Sequence, residues 1–120
     1  MEDSLDLKLE ILADHGIALV RCLGRLTAGK ETQLLKKCVS SVLSQFSICV
    51  LSLKDVHRID ARGLGTLVAC FEKARSLGCL LLIGGASRPV EEMLRMTRLG
   101  SVLEIYATEY DAIQACGQAA

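Results

Sequence analysis

The chain has 120 residues, the size of one domain, and its 14 basic residues balance its 14 acidic residues. Hydrophobic residues make up 51% of the sequence, which excludes a disordered chain, and zero net charge gives no electrostatic basis for binding nucleic acid or an anionic membrane. No apolar run approaches the roughly 18 residues that span a bilayer, and the acidic N-terminal start is unlike a signal peptide, so we expect a cytoplasmic protein without membrane insertion.

The first part of the chain predicts a β-hairpin. Leucine or isoleucine occupies every second position from Leu5 to Ile11, which is the pattern of a strand with one wet face. The turn residues Asp14–Gly16 separate this strand from a second apolar run, Ile17–Leu23. We therefore expect these two runs to pair antiparallel.

Helical and strand patterns alternate beyond the hairpin. Apolar residues recur at helical spacing from Leu35 to Phe46, behind Thr27 as a candidate N-cap, and the runs Ile48–Leu53 and Cys79–Ile83 are typical of buried parallel strands. The remaining predicted elements are a helix around Leu64–Ala74 that ends near Gly78, a helix opened by Ser87 and Pro89 and closed by Gly100, a strand over Val102–Tyr106 and a helix over Thr108–Cys116. The order β-β-α-β-α-β-α-β-α predicts an α/β domain with a mixed, mostly parallel sheet.

One stretch has the spacing of a phosphate-binding loop. Gly24–Lys30 matches G-x-x-x-x-G-K between a strand and a helix, but Glu31 stands where a serine or threonine would hold magnesium. Because its carboxylate would repel phosphates, we favour an ordinary turn whose glycines serve the backbone. A nucleotide-binding domain that uses Gly24–Lys30 is the less favoured alternative.

Residues for catalysis or metal binding are scarce. The sequence has two histidines, no serine in a G-x-S-x-G elbow and no carboxylate pair at a catalytic spacing. Its six cysteines form no C-x-x-C pair and lie mostly in apolar runs, so we expect buried, reduced thiols. We therefore expect no enzyme, no metal and no cofactor.

The junction after the strand Ile48–Leu53 carries the most distinctive residues. Val56–Gly65 leads into an amphipathic helix, where Asp60 is suited to cap free backbone amides. Arg62 then lies in the first helical turn, where a cation opposes the helix dipole by up to about 1 kcal/mol. Arg62 either pairs with Asp60, faces an acidic partner or is a solvated surface residue.

These residues resemble the STAS domain of the anti-sigma factor antagonist type. Asp60–Gly65 is similar to the family's loop D-S-S-G-L-G, and Gly24–Thr27 is similar to its G-E-L-D turn. Ala74–Gly78 with the following strand, and Met93–Gly100, are similar to two later family segments. The resemblance implies a single STAS domain over residues 1–120, with its core at about residues 5–116.

The resemblance also implies a regulatory function. Family members bind an anti-sigma factor that is also a serine kinase, and phosphorylation of the second serine of the loop releases them. Here Ala61 and Arg62 replace the two serines, so Arg62 marks a degenerate phosphorylation site. We therefore expect phosphorylation-independent regulation of transcription through an anti-sigma factor. Thr66, the next hydroxyl, has no motif support as a displaced acceptor.

The same resemblance predicts which residues meet a partner. The candidate residues of the protein-binding loop are Arg58, Asp60, Ala61, Arg62, Gly63, Leu64, Gly65 and Thr66. Met93 and Met96 could add an adaptable apolar contact, although we expect Met93 on the core face of its helix and Met96 off it. The alternative function is that of a cytoplasmic STAS subunit of a membrane transport complex, with a transporter ATPase or permease as its partner.

Overall fold

A computed structural model describes residues 5–119, and within them the elements follow the predicted order. The strands and α-helices of this part of the chain are β1 (Leu7–Asp14), β2 (Ile17–Leu26), α1 (Lys30–Leu43), β3 (Ile48–Ile59), α2 (Ala61–Ser76), β4 (Leu80–Ala86), α3 (Arg88–Thr97), β5 (Ile105–Tyr106) and α4 (Glu109–Ala119). A short 3-10 helix over Leu99–Ser101 precedes β5. None of the helices in this described part is long and apolar enough to cross a membrane.

The strands form one mixed sheet in the spatial order β1-β2-β3-β4-β5. β1 and β2 pair antiparallel, with Leu9 opposite Cys22, whereas β2 to β5 run parallel. Because consecutive parallel strands are neighbours, right-handed crossovers bring α1, α2 and α3 to the same face of the sheet. The predicted α/β architecture with an antiparallel hairpin is therefore confirmed.

Two apolar clusters, one on each face of the sheet, hold the layers together. On one face Leu51 and Ile83 pack with residues of α1, α2 and α3. On the other face Val50 and Leu82 pack with α4. Successive residues of β3 and β4 thus point to opposite layers, and both strands are buried on both faces, as their continuous apolar runs predict.

β3 is longer than the predicted run Ile48–Leu53, because its second half pairs with β2 alone. Leu26 lies opposite Ile59 at the end of this ladder, and a register shift places the buried residues Val56 and Ile59 three positions apart. Because apolar residues at every second position indicate a strand, this spacing of three does not predict the second half of β3. The extension carries the chain past the end of β4 and delivers Asp60 to the turn between β2 and α1.

The elements after β4 differ in part from their predicted bounds. α3 begins behind Ser87 as predicted, but it ends at Thr97, before the predicted Gly100, because Arg98 adopts a left-handed conformation with a φ of 60°. β5 is reduced to Ile105–Tyr106, since residues 102–104 form a turn and an irregular stretch that follow the 3-10 helix.

The six cysteines, which all lie within residues 5–119, are free thiols. The buried ones are Cys22, Cys49, Cys70 and Cys116, while Cys38 and Cys79 are half-buried. Burial raises the pKa of Cys49 to about 12 and that of Cys70 to about 11, so neither forms a thiolate at neutral pH. The prediction of buried thiols is confirmed for the four buried cysteines and not for the two half-buried ones.

Candidate functional site

Asp60 joins the two turns that meet beyond the carboxyl ends of β2 and β3. Its Oδ1 accepts a hydrogen bond of 2.8 Å from the amide of Gly63, which makes Asp60 the N-cap of α2, as predicted. Its Oδ2 accepts a hydrogen bond of 2.9 Å from the amide of Ala28, in the turn before α1. One carboxylate therefore fixes the start of α2 against the start of α1.

The Asp60 carboxylate is held in its ionised form. Burial alone would raise the pKa of Asp60, but hydrogen bonds from the amides of Ala28, Gly63 and Arg62 outweigh burial and lower the pKa below its usual value. Both oxygens are engaged by backbone amides. Within residues 5–119, Arg62 and Asp60 do not form the ion pair that the sequence allowed.

Gly63 lets the first turn of α2 approach the end of β2 closely. A Cβ at this position would lie 2.0 Å from the carbonyl oxygen of Leu26, which is closer than any side chain tolerates. The amide of Asp60 donates to the same carbonyl at 3.4 Å. Gly65, by contrast, has open space beside it and is exposed.

The predicted binding loop divides into exposed residues and supporting residues. The exposed ones are Arg58, Ala61, Arg62 and Gly65. Leu64 is only 3% exposed and packs in the core, and Thr66 is 7% exposed and donates its hydroxyl to the carbonyl of Arg62 at 2.9 Å. A partner protein can contact the exposed residues, whereas the buried residues of the loop hold the exposed ones in place.

Arg62 lies in the first turn of α2 with its side chain exposed. Among residues 5–119 its guanidinium forms no ion pair. The cation therefore lies at the positive end of the helix dipole without an ion-paired carboxylate in the described chain. Two of the three arrangements expected from the sequence remain, a solvated side chain and one that faces an acidic partner.

The stretch Gly24–Lys30 spans the end of β2, the turn at residues 27–29 and the first residue of α1. Gly24 has a φ of 128°, and a Cβ there would lie 2.3 Å from the carbonyl oxygen of Asp6. Gly29, with a φ of 110°, is the N-cap of α1, so the prediction of Thr27 in that role is wrong. The backbone of the turn thus requires both glycines.

Glu31 is buried and engaged by residues of its own chain. Its side chain is 5% exposed, accepts a hydrogen bond of 3.0 Å from the amide of Asp6 and pairs with Arg25 at 3.1 Å. The hydrogen bond from Asp6 is the main reason why the pKa of Glu31 lies below its usual value. These contacts account for Glu31 without a nucleotide and support the interpretation as an ordinary turn.

A groove between α1 and α2 opens beside the loop. Its volume is about 420 Å³, and its lining includes the N-cap Gly29, Thr32, Gln33 and Lys36 of α1, and Arg62 and Gly65 of α2. The α1 residues were not predicted, because a sequence does not state which face of one helix lies along another. The available signal is the spacing of Gln33 and Lys36, which lie about one helical turn apart beside the apolar stripe of α1.

The two methionines of α3 lie on the faces that the sequence predicts. Met93 is half-buried against the core, and Met96 is 79% exposed. Their helix packs against β3 and takes no part in the lining of the groove between α1 and α2. A contact of either methionine with a partner stays a prediction.

Known proteins share this sequence pattern and this fold. Residues 8–112 match the family model of the STAS domain. The chain is 24% identical to an anti-sigma F factor antagonist of Paenibacillus polymyxa over 110 residues, which are 91% of this chain and 94% of that protein. It superposes on an anti-sigma factor antagonist from Mycobacterium paratuberculosis with a TM-score of 0.74 and 20% identity, covering 91% of this chain and 92% of the other. It also superposes on a sulfate transporter family protein from Wolinella succinogenes with a TM-score of 0.76 and 19% identity, covering 89% of each.

Proposed function

The chain belongs to the STAS domain family, and on this premise we propose that it is a regulatory protein-binding domain whose partner is an anti-sigma factor. The relative from Paenibacillus polymyxa, an anti-sigma F factor antagonist aligned over nearly the whole chain, supports this choice of partner. The exposed residues of the loop, Arg58, Ala61, Arg62 and Gly65, form the centre of the proposed contact. By occupying the anti-sigma factor in the cytoplasm, the domain would free a sigma factor and so regulate transcription.

The observation that carries the phosphorylation-independent part of the proposal is a surface loop without a phosphate acceptor. Ala61 and Arg62 occupy the two exposed positions where the family has serines, and neither side chain can accept a phosphoryl group. The nearby hydroxyl of Thr66 is buried and engaged with the carbonyl of Arg62. We infer that this domain binds its partner irrespective of kinase activity, and that other events set when the complex forms.

The test restores the missing acceptor. The wild type and the double variant Ala61→Ser/Arg62→Ser are titrated with a kinase-type anti-sigma factor from the same organism, with and without ATP. We expect the wild type to bind equally well in both conditions and to incorporate no phosphate. The double variant should gain a phosphate, which adds about −1.5 to −2 charge at the contact, and should dissociate when ATP is added.

The single variant Ala61→Ser is the matched control, since it adds a hydroxyl only at the first of the two positions. It should behave like the wild type. A folded wild type that binds no anti-sigma factor would refute the proposed partner. Mass spectrometry that finds phosphate on Thr66 of the wild type would refute phosphorylation-independent binding.

A second candidate function is that of a STAS subunit in a membrane transport complex. The superposition on a sulfate transporter family protein supports it, and the absence of the acceptor serine fits it equally well. This function predicts that the protein co-purifies with a transporter ATPase or permease from detergent-solubilised membranes, and that an anti-sigma factor does not bind it.

A further inference from the structure

Charge is unevenly distributed over this neutral chain. α1 and α2 together hold six of its 14 basic residues but only two of its 14 acidic residues. The basic ones are Lys30, Lys36, Lys37, Arg62, Lys73 and Arg75. Of the two acidic ones, Glu31 is buried and paired with Arg25, so Glu72 is the exposed one. The layer formed by α1 and α2 is therefore cationic, and the remainder of the chain carries the balancing negative charge.

Three of these six cations lie along the groove between the two helices. Beyond Lys36 the groove continues into a second hollow of about 220 Å³, lined by Lys36, Val39, Ser40, Ala69, Cys70 and Lys73. The charged residues of the two hollows are thus Lys36, Arg62 and Lys73, all of them basic. Between the cations, Val39 and Ala69 provide an apolar floor.

These three cations have no partner within the described chain. Among residues 5–119, none of Lys36, Arg62 and Lys73 forms an ion pair. Arg62 additionally opposes the dipole of α2, at a cost of up to about 1 kcal/mol. The Asp60 carboxylate caps this helix end but forms no ion pair with Arg62, and unexplained violations of a local rule are typical of functional sites.

We propose that the groove between α1 and α2 binds an acidic segment of a partner protein, whose carboxylates lie against Arg62, Lys36 and Lys73. This identification of the ligand's chemistry deepens the proposed function and rests on it for the identity of the partner. The planar guanidinium of Arg62 can hold one carboxylate with two hydrogen bonds, whereas the lysines act as point charges farther along the groove.

The length of the groove favours a peptide segment over a single phosphate. Arg62 and Lys73 are separated by about 16 Å along α2, given a rise of about 1.5 Å per residue. One phosphate group cannot reach both ends, whereas an extended segment of about five residues does. The apolar floor suits aliphatic side chains between the acidic ones and is poorly matched to a sugar-phosphate backbone.

The test measures binding of a fluorescein-labelled oligoglutamate peptide by fluorescence anisotropy, with an oligoserine peptide of equal length as the reference. We expect oligoglutamate to bind and its affinity to fall as salt is added, because exposed charges are screened. Lys36→Glu and Arg62→Glu should each weaken binding by about tenfold or more, a change of at least about 1.4 kcal/mol. Arg62→Glu should not impair folding, because an acidic residue in the first turn favours the helix dipole.

Lys37→Glu is the matched control, since it makes the same charge change at the neighbouring exposed position of α1, outside the lining of the groove. It should retain most of the wild-type affinity. The inference is overturned when Lys37→Glu weakens binding as much as Lys36→Glu, when oligoglutamate does not bind, or when inorganic phosphate at an equal concentration of charge displaces the peptide.

Repeating the measurement with the anti-sigma factor separates the two proposals. An anti-sigma factor that binds the wild type, Lys36→Glu and Arg62→Glu equally well would refute the groove as its docking site and leave the proposed function intact. Oligoglutamate binding that depends on Lys36 and Arg62, without binding of any anti-sigma factor, would support the groove and refute the proposed function.

Discussion

Gly63 and Gly65 lie in the same turn of α2 but meet different surroundings. The space beside Gly63 is filled by the carbonyl of Leu26, whereas the space beside Gly65 is open. Gly63 therefore sets how closely α2 approaches the end of β2, and with it the position of Arg62. Gly65 contributes a bare stretch of helix surface at the mouth of the groove.

We predict opposite effects of alanine at these two positions. Gly63→Ala should lower the free energy of unfolding by about 1–3 kcal/mol, because the added Cβ forces the backbone of α2 away from β2. Gly65→Ala, the matched control, should raise it by up to about 1 kcal/mol, because alanine favours a helix interior and meets no neighbour here. Urea denaturation followed by circular dichroism measures both values. Equal stability of the two variants would contradict the assigned role of Gly63.

The sequence predicts one of the two contacts of Asp60 and not the other. An aspartate directly before an amphipathic helix indicates an N-cap, and the bond to the Gly63 amide confirms it. The bond to Ala28 spans 32 residues, and it depends on the unpredicted length of β3. Contacts of this kind follow from the register of neighbouring strands, which local patterns do not specify.

At the level of secondary-structure elements, α4 is attached to the sheet by a polar contact as well as by apolar packing. Arg21 of β2 donates from Nε and Nη2 to the two carboxylate oxygens of Glu109, each at 3.0 Å. The Glu109 side chain is 14% exposed, and the hydrogen bonds from Arg21 are the main reason why its pKa lies below its usual value. This contact ties the first turn of α4, whose Glu109 backbone lies against Gly84 of β4, to β2.

We predict that Glu109→Gln loosens α4 selectively. Loss of the charge-assisted pair should cost on the order of 1 kcal/mol and should accelerate hydrogen exchange of the α4 amides more than that of the α1 amides. Glu92→Gln is the matched control, because it removes the highly exposed pair between Arg88 and Glu92, whose atoms are 3.9 Å apart, and such pairs contribute little. Equal exchange in both variants would contradict the role of Glu109.

The neighbourhood of α1 and α2 shows where element-level prediction stops. Apolar spacing predicts both helices, and the parallel strands predict that they share one face of the sheet. Neither pattern predicts that Lys36 and Arg62 line the same groove, because that depends on the rotation of each helix about its axis. A rotation is set by the fit of side chains such as Val39 and Cys70, which the sequence alone does not rank.

At the level of the whole molecule, three carboxylates each connect segments that are distant in the sequence. Glu31 joins α1 to the residue before β1, Asp60 joins α2 to the turn before α1, and Glu109 joins α4 to β2. In all three, hydrogen bonds to the ionised form lower the pKa in the folded protein. Their ionised forms are therefore bound more favourably in the folded state than in the unfolded state.

We predict that the protein loses stability in acid through these three groups. A lowered folded-state pKa contributes stability that is fully present above the unfolded values, about 3.9 for Asp and 4.3 for Glu, and is lost as the pH falls towards the folded values. The free energy of unfolding should therefore be level at neutral pH and fall steeply below about pH 4. The variant Glu31→Gln/Asp60→Asn/Glu109→Gln should be less stable at pH 7 and should lose much of that slope. An unchanged slope would show that other groups govern acid unfolding.

The global arrangement was the most predictable level of this molecule. Alternation of Ile48–Leu53 and Cys79–Ile83 with amphipathic helices requires a parallel sheet, and the period-two pattern before Asp14 requires a hairpin. β5 is shorter than predicted, since Val102 and Leu103 are apolar but lie in the turn that follows the 3-10 helix. Apolar content alone does not distinguish a strand from such a turn.

The hold of Asp60 on both helix starts has a consequence for the kinetics of recognition. A surface that is already rigid loses little configurational entropy when a partner binds, so the entropic penalty of association falls mainly on the partner. Encounter rates are then governed by long-range attraction and diffusion, while the lifetime of the complex depends on how well the incoming surface fits a fixed shape. Under the proposed function, in which the loop receives no phosphate that would shorten that lifetime, occupancy would follow the relative abundance of the two proteins in the cell.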